Sequence, residues 1–432
     1  MRNSDPYLEP AKPVGTVIEL FAGVGGFRIG LSRSGWQTVF SNQWEPSTKI
    51  QHASLCYEHN FKSGTHTNEN ITTLVARHTE LGGVFPKVDL IVGGFPCQDY
   101  SVAKSLNSSK GISGKKGVLW WDIHKLVESL KPKFVFLENV DRLLKSPGSQ
   151  RGRDFAIMLK TLGDLGYRVE WRVINAAEAG FAQRRIRVYI VAQRVDLIKT
   201  TLADPHAFLS EGGILANSFP GTLKSETFAT FALADQPSEL TSSFNVAGKS
   251  SPFRQAGVFN DGIVTTCDIL KLKQLQKPAT LKSVLLDPSE VSSEFWINDD
   301  SLENWRYLKG AKKITRVHKS SGTPYIYAEG SMSMPDSIDK PSRTVLTGEG
   351  GSSPSRFKHI IKQGNRFRRL TPIELERLNG FPDDWTKLGS KIGEISPGRR
   401  SFFMGNALVV DVVARIGEVL AAELRSPNSP KV

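Results

Sequence analysis

A cysteine, a glutamate and a cluster of arginines stand where a sheet would present them to a substrate. Cys97 follows Gly94-Phe95-Pro96 and precedes Gln98, directly after the apolar run Val88-Asp89-Leu90-Ile91-Val92. That run reads as a buried parallel strand, and reactive groups in open α/β sheets sit just past the carboxyl ends of such strands. Pro96 fixes its own φ and lacks an N–H, so the chain must turn there. The thiol is then placed as a nucleophile would be; a merely buried cysteine is the competing reading. A second run, Phe134-Val135-Phe136-Leu137, delivers Glu138-Asn139-Val140, and Gln183-Arg184-Arg185 leads into Arg187-Val188-Tyr189-Ile190-Val191. Singly, a glutamate or an arginine is more often a structural ion pair or a solvated charge. Convergence on one sheet edge favours a site.

The elements that must position these residues are legible in the apolar pattern. Strands are expected at Thr16-Leu20, Gln37-Ser41, Asp89-Val92, Phe134-Leu137, Arg168-Ile174 and Val188-Ala192, with helices at Phe27-Ser34, Trp120-Leu130 and Asp154-Leu165. This alternation predicts a doubly wound, mostly parallel α/β sheet of Rossmann-like type. The first strand runs into Phe21-Ala22-Gly23-Val24-Gly25-Gly26. A glycine-rich turn between strand and helix lets backbone approach a ligand closely. It suits a dinucleotide, an adenosine-sulfonium cofactor or plain packing, and the longer G-x-G-x-x-G spacing of pyrophosphate sites is absent. After the second strand, Gln43 can hydrogen-bond a hydroxyl and Trp44 can stack on an adenine or pack in the core.

From about Val195 to Gly350 the alternation fades into short β-like runs, with basic residues at Lys271, Lys273, Lys277, Lys309, Lys312, Lys313, Arg316 and Lys319. This predicts a second, smaller, irregular β-rich domain. Thr371 and Pro372 read as the cap and first residue of a helix to Leu378, and a helix at about Val409-Leu424 is expected to return to the first domain. The expected division is a catalytic domain of residues 1–194 plus 395–432, with a recognition domain and hinge over 195–394.

The chain has 432 residues, a formal net charge of +13 and three cysteines, Cys56, Cys97 and Cys267. The charge points to a polyanion such as nucleic acid. Three cysteines in such a length argue against a disulfide framework and for a reducing compartment. No Cys/His cluster has metal-ligand spacing. No apolar run approaches the roughly 20 residues that span a bilayer, and no signal-peptide core opens the chain. A soluble, cytoplasmic protein without metal or membrane partner is expected.

In order, the motifs resemble those of the cytosine-5 DNA methyltransferases of bacterial restriction-modification systems. The glycine turn at Phe21–Gly26 is followed by Pro96-Cys97-Gln98, Glu138-Asn139-Val140 and Gln183-x-Arg185-x-Arg187. Then come Arg369-Leu370-Thr371-Pro372, Gly380-Phe381-Pro382 and Gly405-Asn406. The resemblance implies methyl transfer from S-adenosylmethionine to C5 of a cytosine swung out of duplex DNA. It implies catalysis by Cys97, which would add to C6, by Glu138, which would grip the N3 edge, and by Arg185 supported by Arg187. A cofactor site is implied at Phe21, Ala22, Gly23, Gly25, Gly26, Gln43, Trp44, Asn70, Ile71, Pro96, Leu119, Asn406 and Ala407. DNA contacts are implied at Gln98, Ser101, Lys104 and Lys116, in a Ser-, Gly- and Lys-rich segment suited to close over the site. Gln43 and Asn70 depart from the family, which usually carries acids there. The expected enzyme is a monomer, nucleoid-associated when bound to DNA and accompanied by a cognate endonuclease. A tRNA cytosine-5 methyltransferase and a catalytically silent DNA-binding protein are the rivals, with a nicotinamide dehydrogenase a distant third.

Overall fold

A computed structural model describes residues 12–96, 119–198, 202–318 and 321–425. Its centre is a ten-stranded sheet. The first half is built from β1 (Gly15–Leu20), β2 (Trp36–Asn42), β3 (Thr65–Thr67), β4 (Leu90–Gly94) and β5 (Phe134–Asn139), in the order β3-β2-β1-β4-β5. All four pairings among these strands are parallel. Beyond β5 the sheet turns antiparallel through β7 (Ile186–Arg194) and β6 (Tyr167–Asn175). The six strands expected in the first 195 residues are all present, each extended by one or two residues at one end or both, while the strand expected from Asp89 begins one residue later, at Leu90.

The central strands β1, β4 and β5 are mostly apolar because both faces are covered. Their period-2 geometry sends alternate side chains to opposite layers. Val17, Leu90, Val92 and Phe136 join a core with Phe27 of helix α1 (Gly26–Ser32) and with Val410, Val413 and Ile416. Ile18, Ile91, Val135 and Leu137 join the other core, with Ile123 and Leu126 and with Phe155 and Leu159. Two further helices, α2 (His52–Asn60) and α3 (Ile71–Leu81), lie between β2 and β4. The second core's helices are α4 (Leu119–Leu130) and α5 (Arg153–Asp164). The first four of α4's buried apolar residues, Trp120, Ile123, Leu126 and Val127, repeat at helical spacing, a one-sided stripe against the sheet.

The expected break at residue 195 is crossed by hydrogen bonds. Strands β9 (Ala229–Ala232), β10 (Ala256–Asn260) and β11 (Ile263–Cys267) extend the central sheet beyond β6, Ala256–Phe259 pairing with Val169–Arg172. The small sheets are β12 (Ile269–Leu272) with β8 (Gly221–Leu223), β13 (Lys312–Val317) with β14 (Pro324–Glu329), β15 (Ile360–Gln363) with β16 (Arg366–Arg369), and β17 (Leu388–Gly389) with β18 (Gly393–Glu394). Downstream of them, Leu375, Phe381 and Trp385 already belong to the first core, and Trp385 Nε1 donates to Val24 O at 2.8 Å. The segment from Thr371 to Glu394 therefore packs with the sheet as well as with the irregular stretch, where Leu286 N donates to Glu374 Oε1 at 2.9 Å and Ile373 packs against Leu286, Val291 and Phe295.

Thr371 caps the helix Pro372–Leu378 in a capping box with Glu374. Glu374 also receives Arg368 at 2.6 and 2.9 Å, a fully buried pair. The last helix runs Val410–Arg425. Lys309 corrects the basic-surface reading: it is 1% exposed. Its Nζ donates to Lys358 O at 2.7 Å and lies 3.8 Å from Asp336, so it fastens the irregular domain and touches no solvent phosphate. Lys319 lies outside the described residues.

Candidate active site

The strand register aligns one edge of the sheet. Leu20 pairs with both Asn42 and Gly93, and Gly93 with Leu137. The next residues along this row are Phe21, Gln43, Gly94 and Glu138. The glycine turn, the Gly-Phe-Pro turn and the glutamate thus share one mouth, as expected at the carboxyl ends of parallel strands.

At the turn, Phe21, Gly23 and Gly25 all have positive φ, at 54°, 56° and 91°. Gly23 N donates to Gln43 Oε1 at 2.7 Å. Among the described residues a Cβ on Gly23 would meet nothing within 4 Å, whereas one on Gly25 would lie 2.9 Å from Cζ of Phe61. The first glycine therefore borders open space and the second is packed against the α2 side. Ala22 is tied to β2 by its N–H on Asn42 O at 3.0 Å. Gly26 opens α1 and is buried; Trp44 is 38% exposed beside the mouth. Asn70 caps α3, its Oδ1 accepting from Thr72 N at 3.0 Å, and Ile71 is buried behind it. Pro96 and Asn406 are exposed, and Leu119 and Ala407 half-buried.

Sequence reasoning missed the polar support beneath the turn. Glu19 is fully buried at the end of β1, accepting from Tyr57 Oη at 2.9 Å and from Arg28 N at 3.3 Å. Burial pushes its carboxyl up to about 7, against the pull of Tyr57 and Arg28. Its place at a strand end was the available signal. Glu45, next to Trp44, pairs with Arg399 at 3.3 Å and so ties this side of the mouth to the helix Pro397–Asn406.

At the other side, Glu138 Oε1 lies 2.9 Å from Arg187 Nε, both side chains being mostly but not fully buried. Gly94 pairs with Glu138 across the strands, and Asn139 Nδ2 donates to Phe95 O at 3.0 Å. These bonds fix Gly94 and Phe95 against the strand that carries the glutamate. Cys97 itself lies outside the described residues, as do Gln98, Ser101, Lys104 and Lys116.

Arg185 is 2% exposed. Its Nη1 donates to Val345 O at 3.1 Å and its Nη2 to Gly405 O at 2.9 Å. Among the described residues its buried Nε has no hydrogen-bond partner. Burial, and then the charge of Arg187, lower its guanidinium to about 9 despite Glu138 and Tyr189. In this arrangement Arg185 clamps backbone from two later segments. Gln183 does the same, receiving Val345 N at 2.9 Å and donating to Leu378 O at 3.2 Å. One compact edge therefore offers a carboxylate held by one arginine, a second arginine behind it, and an open glycine turn. Such an edge can bind a planar, hydrogen-bonding ring next to a small adenosine-like group.

The family model described as C-5 cytosine-specific DNA methylase matches residues 15–422. The Type II methyltransferase M.Sau3AI of Staphylococcus aureus is 45% identical over 413 residues, covering 93% of this chain and 94% of that protein. The Type II methyltransferase M.Bsp6I of a Bacillus species is 26% identical over 93% of this chain and 97% of that one. Among solved structures, the S. pombe Dnmt2 methyltransferase has a TM-score of 0.56 at 15% identity, covering 95% and 99% of the two chains. The Entamoeba histolytica methyltransferase EhMeth has a TM-score of 0.55 at 15% identity, covering 96% and 100%. At such identity these two show a shared fold only.

Proposed function

The chain belongs to the C-5 cytosine-specific DNA methylase family and is a DNA cytosine-5-methyltransferase of the type II restriction-modification kind, and from that premise we propose how its residues carry the reaction. The observation that carries the proposal is Glu138, held 2.9 Å from Arg187 at the strand row that leads through Pro96 to Cys97. Cys97 adds as thiolate to C6 of an extruded cytosine. Glu138 holds the N3 and exocyclic-amine edge and favours protonated N3, so the electrons displaced from the C5–C6 bond make C5 nucleophilic. Arg187 fixes the glutamate. Arg185 supplies positive charge behind the base and anchors the segments at Val345 and Gly405. After C5 is methylated, loss of its proton expels the Cys97 thiolate and restores the ring.

S-adenosylmethionine, when bound, supplies an electrophilic methyl group. The glycine turn fits it on two counts. Among the described residues, none lies within 4 Å of a Cβ placed on Gly23. The Gln43 carboxamide, its oxygen engaged by Gly23 N–H, keeps an NH₂ to donate to a ribose hydroxyl. Trp44 supplies an exposed aromatic face for adenine. Replacing a carboxylate by Gln43 exchanges an acceptor for a donor without abolishing the hydrogen bond. Asn70 retains the capping role of an acid at a helix start.

The two glycines separate binding from folding. Gly23→Ala should weaken S-adenosylmethionine binding at least about tenfold with little change in melting temperature, its left-handed backbone costing about 1 kcal/mol. Gly25→Ala, forced against Phe61, should lower the melting temperature by several degrees as well. Titration calorimetry and thermal melts check both; equal behaviour of the two variants contradicts the assignment.

Duplex DNA lies between the sheet domain and the irregular segment, whose basic residues position phosphates. The enzyme works as a cytoplasmic monomer beside a cognate endonuclease; among the described residues no helix is long and apolar enough to cross a membrane. Bisulfite sequencing of DNA from cells expressing the chain tests the reading. Protection of cytosines in one sequence context is expected. Unprotected DNA with labelled tRNA would overturn it.

A further inference from the structure

The hairpin of β13 and β14 stands apart from the central sheet, as a two-stranded sheet of its own. Its register pairs Lys312 with Glu329, Lys313 with Ala328, Ile314 with Tyr327, Thr315 with Ile326, Arg316 with Tyr325 and Val317 with Pro324. Directly opposed residues share a face and successive residues alternate. One face therefore carries Lys312, Ile314, Arg316, Tyr325, Tyr327 and Glu329, and the other carries Lys313, Thr315, Val317, Pro324, Ile326 and Ala328.

The two faces have different fates. The first is fastened. Lys312 Nζ sits 4.5 Å from the Tyr307 ring centroid and donates to Leu308 O at 3.3 Å. Arg316 lies 3.5 Å over the Tyr327 ring, and Arg356 pairs with Glu329. Behind the root, buried Lys309 receives Met332 N on its own carbonyl at 2.7 Å. The second face is bare. Among the described residues its side chains make no hydrogen bond, ion pair or ring contact, and all six are exposed. Val317 is 59% and Ile326 62% exposed.

We propose that this second face is the base-reading edge of the enzyme, entering the major groove of duplex DNA. The inference rests on the reading under Proposed function and assigns a sequence-discriminating element to it. Three observations commit the face to DNA. First, the charge is complementary: Lys313 is the one charged residue of this face, Lys312 and Arg316 stand on the other face of the same narrow ribbon, and the strands' one carboxylate, Glu329, is taken by Arg356. Second, the shape suits: the major groove, about 12 Å wide, admits a two-stranded ribbon. Third, the ribbon is continuous with the active site. The segment that leaves it bonds Arg184 N through Ser342 O at 2.8 Å, and its Val345 O takes Arg185 Nη1 at 3.1 Å. On such a face Thr315, Val317 and Ile326 meet base edges and thymine methyl groups, while Lys313 meets phosphate or guanine.

The test uses the full-length enzyme and a 30-base-pair duplex carrying the context found by bisulfite sequencing, with a scrambled duplex as control. Thr315→Ala combined with Ile326→Ser should weaken cognate binding about ten- to hundredfold, the scale of a mismatched base pair, and leave scrambled-duplex and S-adenosylmethionine binding unchanged. Lys313→Ala should weaken both duplexes and lower the slope of log affinity against log salt by about 1. Ile326→Cys supplies a second readout that needs no loss of function. Cys56 and Cys267 are buried, and maleimide labelling at position 326 is followed by peptide mass spectrometry. Cognate duplex should slow labelling at least tenfold. Labelling unchanged in a complex shown to be formed overturns the proposal, as does protection by tRNA alone or by a second copy of the chain without DNA. Absence of any methylated context would instead overturn the underlying functional reading.

Discussion

Replacing Cys97 with alanine is expected to stop methyl transfer, by about 10⁴-fold or more in single-turnover rate, while duplex and S-adenosylmethionine affinities stay within about threefold. The reason lies in the chemistry of C5. That carbon is a weak nucleophile in an aromatic ring, and only addition at C6 localises electrons on it. No other thiol can substitute. Burial pushes Cys56 and Cys267 each up to about 12, so neither supplies thiolate near neutrality. Cys97 instead follows the exposed Pro96 at a strand end, where Asn139 holds the preceding carbonyl at 3.0 Å. Rapid-quench transfer of labelled methyl to cognate duplex checks the expectation. A variant within tenfold of the wild-type rate would remove the thiol from the mechanism.

Glu138→Gln is the second large effect expected, a fall of about 10²–10⁴ in the same rate. Glutamine keeps the size of the side chain and a carbonyl for Arg187 Nε, now 2.9 Å away. It lacks the charge and the exchangeable carboxyl proton that stabilise an adduct protonated at N3. Both partners of the pair keep some solvent access, so the stability cost of losing its charge is small. The readout that separates chemistry from structure is the pairing of an unchanged melting temperature and unchanged duplex affinity with a collapsed rate. A proportional loss of all three would make Glu138 a structural residue.

How far the sequence spoke depended on whether a signal was local. Strands β1, β4 and β5 are mostly apolar runs because helices cover both faces, so they were legible within two residues of their ends. Helix α2 was not. Its buried side chains, Ala53, Ser54, Cys56 and Tyr57, are mixed in polarity and give no apolar stripe. The join of β10 to β6 was invisible for a different reason: a strand's own residues announce the strand but not its partner. Residues 229–267 therefore read as part of a separate domain although three strands there continue the central sheet. Lys309 was misread as surface because charge alone cannot tell a solvated lysine from one satisfied by buried carbonyls. At the site, Glu138 and Arg187 were legible as strand-end charges. The clamp from Arg185 to Val345 and Gly405 was not, since it joins positions 160 and 220 residues apart.

The mechanism stands on a covalent bond between Cys97 and the target cytosine, and that bond can be trapped. In a cognate duplex whose target cytosine carries fluorine at C5, methylation can proceed but fluorine cannot leave as a cation, so the thiolate has no route of expulsion. Peptide mass spectrometry should then find the DNA joined to Cys97, dependent on S-adenosylmethionine and absent in Cys97→Ala. Stoichiometric methylation of ordinary duplex with no adduct on the fluorinated one, or an adduct at another residue, would contradict the mechanism.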